Sequence, residues 1–195
     1  NIGLAPCSAM RVNFVGELGW ELHHPIEYQN HIFDQLMKAG KEFGLKPYGI
    51  RAMNSLRVEK SYKLVGTELS IEYSPYESGL DRFIHPNKGD FIGRAALDKW
   101  RAKGFSNKLV TMEIHGVTDA DVLGNNPIYD NGSVVGRATS GDFGFRLNKS
   151  IALGMVKPEL AKVGQKLKID ILGKMHEASI VEDSPYDADN KLLRA

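Results

Sequence analysis

The sequence predicts an α+β protein, with an N-terminal α/β segment (a hairpin plus two helices) followed by a small six-stranded antiparallel β-barrel-like domain. Three observations carry this. Apolar residues recur at helical spacing in two stretches between Glu27 and Tyr62. From Asn107 onward that period gives way to six short apolar runs. Between those runs stand hairpin signals, Asn131-Gly132 and Gly173-Lys174.

In chain order, residues 9–15 alternate as a strand with Val12 and Phe14 on one face, and Trp20-Glu21-Leu22-His23 is its return. Gly16 and Gly19 sit where the bend needs permissive backbone. Such a hairpin turns Trp20 and Leu22 toward a core and Glu21 away from it. From Glu27 to Phe43 the residues Tyr28, Ile32, Phe33, Leu36, Met37 and Phe43 form an amphipathic helix that Gly44 stops. A second helix over Ile50 to Tyr62 carries Ile50, Met53 and Leu56 on its apolar stripe, while Arg51, Ser55 and Glu59 follow one another at i+4 on a polar face. Val65 to Gly79 is a long loop without periodicity, of the kind that is functional or packed across another domain.

Leu80 to Ile84 is a candidate strand, and Arg94 to Lys103 a short helix with Ala95, Ala96 and Trp100 inward. The barrel strands are expected at Lys108 to His115, Pro127 to Tyr129, Ser133 to Arg137, Ile151 to Val156, Gln165 to Leu172 and Met175 to Glu182. Thr139-Ser140-Gly141 lacks the glycine pattern of a nucleophile elbow and is expected to be a turn. The resulting division is 1–90, a connecting helix in 91–106, and 107–195.

A chain of 195 residues, 42% hydrophobic with a net charge of +1, has no electrostatic reason to seek nucleic acid or an anionic membrane. Cys7 alone cannot form an intramolecular disulfide, which fits a reducing compartment. The expected location is the cytoplasm, or the mitochondrial matrix in a eukaryote. The six histidines form no helical pair and have no cysteine partner, so no metal site is expected. There is no phosphate loop and no dinucleotide fingerprint. The chain begins with Asn1 and is expected to be an excised piece.

Five ordered stretches carry a resemblance: Val15 to Glu21, Gly49 to Lys60, Pro75 to Leu80, Asp90 to Arg94, and Gly136 to Gly141. In order and spacing they resemble the folate-binding aminomethyltransferase family, which includes the glycine cleavage T-protein and the C-terminal parts of dimethylglycine and sarcosine dehydrogenases. Met53 to Lys60 and the closing Ser184-Pro185-Tyr186-Asp187 resemble the dehydrogenase branch, where Asn54 stands in place of the T-protein's usual aspartate.

The resemblance implies a tetrahydrofolate-binding module that passes a one-carbon unit from an amine to tetrahydrofolate. It also implies FAD in an upstream domain outside this chain. By resemblance the pterin-anchoring carboxylate falls on Glu21, a second folate contact on Arg51, and Tyr186 on a tyrosine closing the folate cavity. Chemistry supports Glu21, because a pterin offers a ring N–H beside an exocyclic amine and one carboxylate accepts both. Arg51 reads equally as a member of a helix-face network with Ser55 and Glu59.

No catalytic residue is assigned, since the family's transfer aspartate lies in an N-terminal region that precedes these motifs. Val65 replaces a residue that is often aromatic in relatives. The chain alone is expected to be inactive, its partners being folate and the missing N-terminal half of the same polypeptide. The alternatives are a folate-dependent demethylase, a T-protein of glycine cleavage, or a non-catalytic folate-binding or interaction module.

Overall fold

The computed structural model of the chain describes residues 1–117 and 119–195. Its first part holds a two-stranded antiparallel ribbon of β1 (Ser8–Met10) and β2 (Glu21–His23), then helices α1 (Gln29–Gly40) and α2 (Ile50–Glu59). Met10 lies opposite Glu21. The ribbon is shorter than expected for a physical reason: the Asn13 side-chain oxygen accepts the Gly16 N–H at 2.7 Å and draws the chain off the ladder. Trp20 does not turn into a core but stays 60% exposed, because no second layer covers the ribbon.

α1 forms where the apolar spacing places it, and Gly44 ends the turn that follows at φ 70°. Its stripe is largely uncovered. Ile32 is buried, yet Phe43 is 82% exposed and Phe33 about half. In α2 the expected sides are exchanged: Ile50 is 76% exposed, while Ser55 and Glu59 are buried against the second part of the chain. Leu80 to Ile84 is not a strand. It holds a short 3₁₀ turn, Asp81–Phe83, in which the Phe83 and Ile84 N–H groups donate to Leu80 O and Asp81 O at 3.0 Å each and so need no neighbouring strand.

α3 spans Arg94–Lys103 as expected, but Ala95, Ala96 and Trp100 are exposed rather than inward. No element among the described residues packs closely enough on that face to bury them.

Strands β3 (Lys108–Ile114), β4 (Pro127–Asp130), β5 (Ser133–Gly144), β6 (Lys149–Val156), β7 (Lys166–Ile171) and β8 (Lys174–Val181) close into an antiparallel barrel in the order β3-β6-β5-β4-β7-β8. Alternation fills it: Val110, Met112 and Ile114 of β3 and Leu167, Ile169 and Ile171 of β7 all point inward. β6 is buried from Ser150 onward because α2 lies over its outer face beside β5. That double burial explains its continuous apolar run.

Thr139-Ser140-Gly141 is no turn; it lies within β5 at a bulge between Ala138 and Ser140. The Thr139 hydroxyl donates to Leu153 O at 3.1 Å and that of Ser140 to Glu68 Oε1 at 2.5 Å, so residues with turn chemistry spend it on buried acceptors. The last hairpin turns on Leu172-Gly173, and Lys174 already belongs to β8.

The loop over 65–79 is stapled to the chain entering the barrel by Glu77, which is buried. Its carboxylate accepts the Ser74 N–H (2.9 Å), the Ser74 hydroxyl (3.0 Å), and the N–H groups of Asn107 (3.1 Å) and Ser106 (3.2 Å). Burial pushes its pKa up, but these donors outweigh burial and hold it below the usual carboxylate value. A depressed folded value means that the carboxylate's contribution is complete above the unfolded pKa of about 4.3 and is lost as pH falls through the folded one. Glu77→Gln is therefore expected to cost about 1–3 kcal/mol at pH 7. It should cost less at pH 3, read by urea unfolding at both pH values. An equal cost at both would exclude this account.

Candidate functional site

α2 is the beam on which the site is built, and its polar residues are satisfied from the barrel side. Asn54 Nδ2 donates to Asp142 Oδ2 at 2.7 Å, and Ser55 Oγ donates to Phe143 O at 2.6 Å. The Arg57 guanidinium donates from Nη2 and Nε to Asn54 Oδ1 (2.7 and 2.9 Å) and from Nη1 to Tyr62 O (3.0 Å), with Glu68 3.7 Å away. Burial pulls Arg57 down from the usual arginine value, and Glu68 and Asp142 oppose it. Asn54 donates to one carboxylate while accepting from a cation, which an aspartate at this position could not do beside Asp142.

At the far end of α2, Glu59 is completely buried and accepts the N–H groups of Arg146 (2.7 Å) and Leu147 (3.0 Å) as well as the Arg146 guanidinium. Gly144 makes room for it, since a Cβ there would stand 2.9 Å from Glu59 Oε1. Arg146 reaches further, donating to Glu17 Oε1 at 2.5 Å, to Val15 O at 3.2 Å and to Leu56 O at 2.6 Å. Burial disfavours its charge, but Glu59 and Glu17 more than compensate.

The chain's closing segment returns to the same place. Lys60, itself buried, donates to Tyr186 O at 3.1 Å, and Ser184 Oγ donates to Lys60 O at 2.7 Å. Tyr186 N donates to Glu59 O at 3.0 Å, so the tail occupies carbonyls left free at the end of α2. The Tyr186 ring lies 3.8 Å from the Arg146 guanidinium carbon. A hydrogen bond to Glu17 raises the phenol's pKa, burial adds to this, and Arg146 opposes both.

Glu21 lies one strand beyond this clamp. Its side chain is half exposed, and its one partner among the described residues is His23 Nε2 at 3.3 Å. Arg51 faces elsewhere. It lines a cavity of about 440 Å3 with Asp121, Asp142, Phe143 and Phe145, and makes no hydrogen bond to Ser55 or Glu59 among the described residues. Asp121 beside it is raised by burial and by Asp142, with Arg51 pulling the other way.

No hydrogen bond or ion pair among the described residues joins Glu21, Arg51 and Tyr186. Tyr186 instead packs its ring on Arg146, which holds Glu17, a residue that the sequence places in the turn as structural. Arg146 carries no sequence signal of its own, because the turn expected at Thr139-Ser140-Gly141 falls instead at residues 145–148 between β5 and β6. Glu59, expected on a polar face with Arg51 and Ser55, is buried, and it is that burial which calls for a partner such as Arg146.

Two family models match: the GCVT N-terminal domain over residues 1–88 and the glycine cleavage T-protein C-terminal barrel domain over 107–187. Human mitochondrial dimethylglycine dehydrogenase is 40% identical over 179 residues, which are 91% of this chain and 21% of that protein. The aminomethyltransferase of Desulfitobacterium hafniense is 35% identical over 180 residues, 92% of this chain and 49% of that protein. The crystal structure of glycine cleavage system aminomethyltransferase T from Bartonella henselae superposes with a TM-score of 0.82 at 23% identity, covering 92% of this chain and 50% of that one. The chain thus spans about a fifth of the dehydrogenase's length and about half of the aminomethyltransferase's.

Proposed function

The chain belongs to the glycine cleavage T-protein (aminomethyltransferase) family, and from this we propose that it is the C-terminal portion of a tetrahydrofolate-binding module. The module would come from a demethylating dehydrogenase similar to those for dimethylglycine and sarcosine. Its task is to present tetrahydrofolate to a one-carbon unit released from an amine that an upstream FAD domain oxidises. No residue of this chain is given a catalytic role; its contribution is binding and orientation.

One observation carries the reading: Glu21 is held on a paired strand with its carboxylate half exposed and, among the described residues, no backbone donor spent on it. Such a group can accept the two parallel N–H donors of a pterin. Arg51 is the proposed second contact, for a folate carbonyl or carboxylate, and Tyr186 the proposed wall of the cavity. Trp20, Phe43 and Ile50 leave a broad apolar surface around the ribbon and both helices, which suits cover by the N-terminal half of the same polypeptide. No helix among the described residues is long and apolar enough to cross a membrane. The proposed compartment is the mitochondrial matrix in a eukaryote and the cytoplasm in a bacterium.

The full-length protein with Glu21→Ala is expected to bind tetrahydrofolate about 10–100-fold more weakly, less than two full charge-assisted hydrogen bonds would give because the carboxylate is half exposed. Titration calorimetry reads this directly. An unchanged affinity removes Glu21 from the site.

A further inference from the structure

Arg146 is placed to do more than neutralise Glu59. Its five contacts reach three separate parts of the chain: α2 through Glu59 and Leu56 O, the bend through Val15 O and Glu17, and the closing tail through the Tyr186 ring. The bend over 11–20 has no ladder of its own. Apart from the Asn13 to Gly16 bond inside it, the hydrogen bonds that tie it to distant residues, among those described, come from Arg146, on which the Tyr186 ring also packs. Gly16 packs on the buried Lys60 stem so closely that a Cβ would stand 3.0 Å from it, which fixes the height of the bend over α2. Arg146 then fixes its direction. Glu21 opens β2 four residues after Glu17, so the bend that Arg146 holds leads directly into the strand that carries this carboxylate.

We infer that Arg146, on the hairpin between β5 and β6, is a positioning residue through which the barrel holds the Glu17 bend and the Tyr186 ring in one arrangement and so sets the geometry of the folate half-pocket. This rests on the reading of Glu21 as pterin anchor. Only a planar fork of donors serves two carboxylates, two carbonyls and a ring face together; a lysine's compact charge cannot.

The test uses the full-length protein, tetrahydrofolate as probe, and two readouts, dissociation constant and melting temperature. Glu17→Gln leaves the buried Glu59 to Arg146 pair intact and loosens only the bend. It is expected to weaken tetrahydrofolate about fivefold with little change in melting temperature. Arg146→Lys should weaken binding at least as much, without rescue. Glu17→Gln combined with Tyr186→Phe should cost less than the sum of the two, because both act on one cluster. Glu21→Gln is run alongside. If Glu21→Gln weakens binding while Glu17→Gln and Arg146→Lys bind tetrahydrofolate as wild type does, the positioning role is overturned and the anchor stands. If Glu21→Gln has no effect, the anchor reading fails and takes the role assigned to Arg146 with it.

Discussion

Glu59→Ala is expected to destabilise the protein by about 3–5 kcal/mol, the range for breaking a buried ion pair by removing one partner. The carboxylate is fully buried and serves the Arg146 guanidinium and the N–H groups of Arg146 and Leu147, so its removal strands several donors at once. For a chain of this size the change corresponds to a fall of roughly 10 °C in melting temperature. Glu59→Gln keeps the volume and one acceptor oxygen, and should fall between the wild type and alanine. Calorimetric scans of the three proteins decide the matter. A loss below about 1 kcal/mol for alanine would show that Arg146 finds water instead.

The second large effect is expected at Arg57→Leu. Leucine removes both donors to Asn54 Oδ1 and leaves the buried Glu68 carboxylate without its cation, again a cost of about 3–5 kcal/mol. Glu68 keeps the Leu64 N–H at 2.8 Å and the Ser140 hydroxyl, so it is not bare. Adding Glu68→Gln to Arg57→Leu removes the orphaned charge and should recover part of the loss. A double variant as unstable as the sum of the two singles would mean that the charges are not coupled.

Both residues sit on α2, whose buried side is not its more apolar one, and the reason is general. Helical spacing shows which residues share a face but not what covers that face. In α2 the stripe of Ile50, Met53 and Leu56 is the more apolar one, yet the barrel meets the face of Ser55, Val58 and Glu59 because it supplies a partner for each polar atom there. The outward Trp20, Phe33 and Phe43 have the opposite cause. Their apolarity is legible, but cover depends on tertiary packing, and no element among the described residues packs over them. The barrel was the easiest part to read, since the period of two and the hairpin at Asn131-Gly132 depend on neighbours along the chain alone.

For the site, the residues selected by motif, Glu21, Arg51 and Tyr186, fall in three different surroundings. The cluster that gives one of them close partners was hidden. Arg146 lies 129 residues from Glu17 and 87 from Glu59, separations at which no local pattern operates.

By itself the sequence determined the two helices, the six barrel strands and the family to which they belong, because hydrophobic period, turn chemistry and motif spacing are local properties of the chain. Only the tertiary structure decided which charges are buried and which side of α2 is covered. It alone showed that the bend before Glu21 is held by an arginine from the barrel, because the pairing of polar groups is set by what folding brings within about 3 Å, whatever lies between them in sequence.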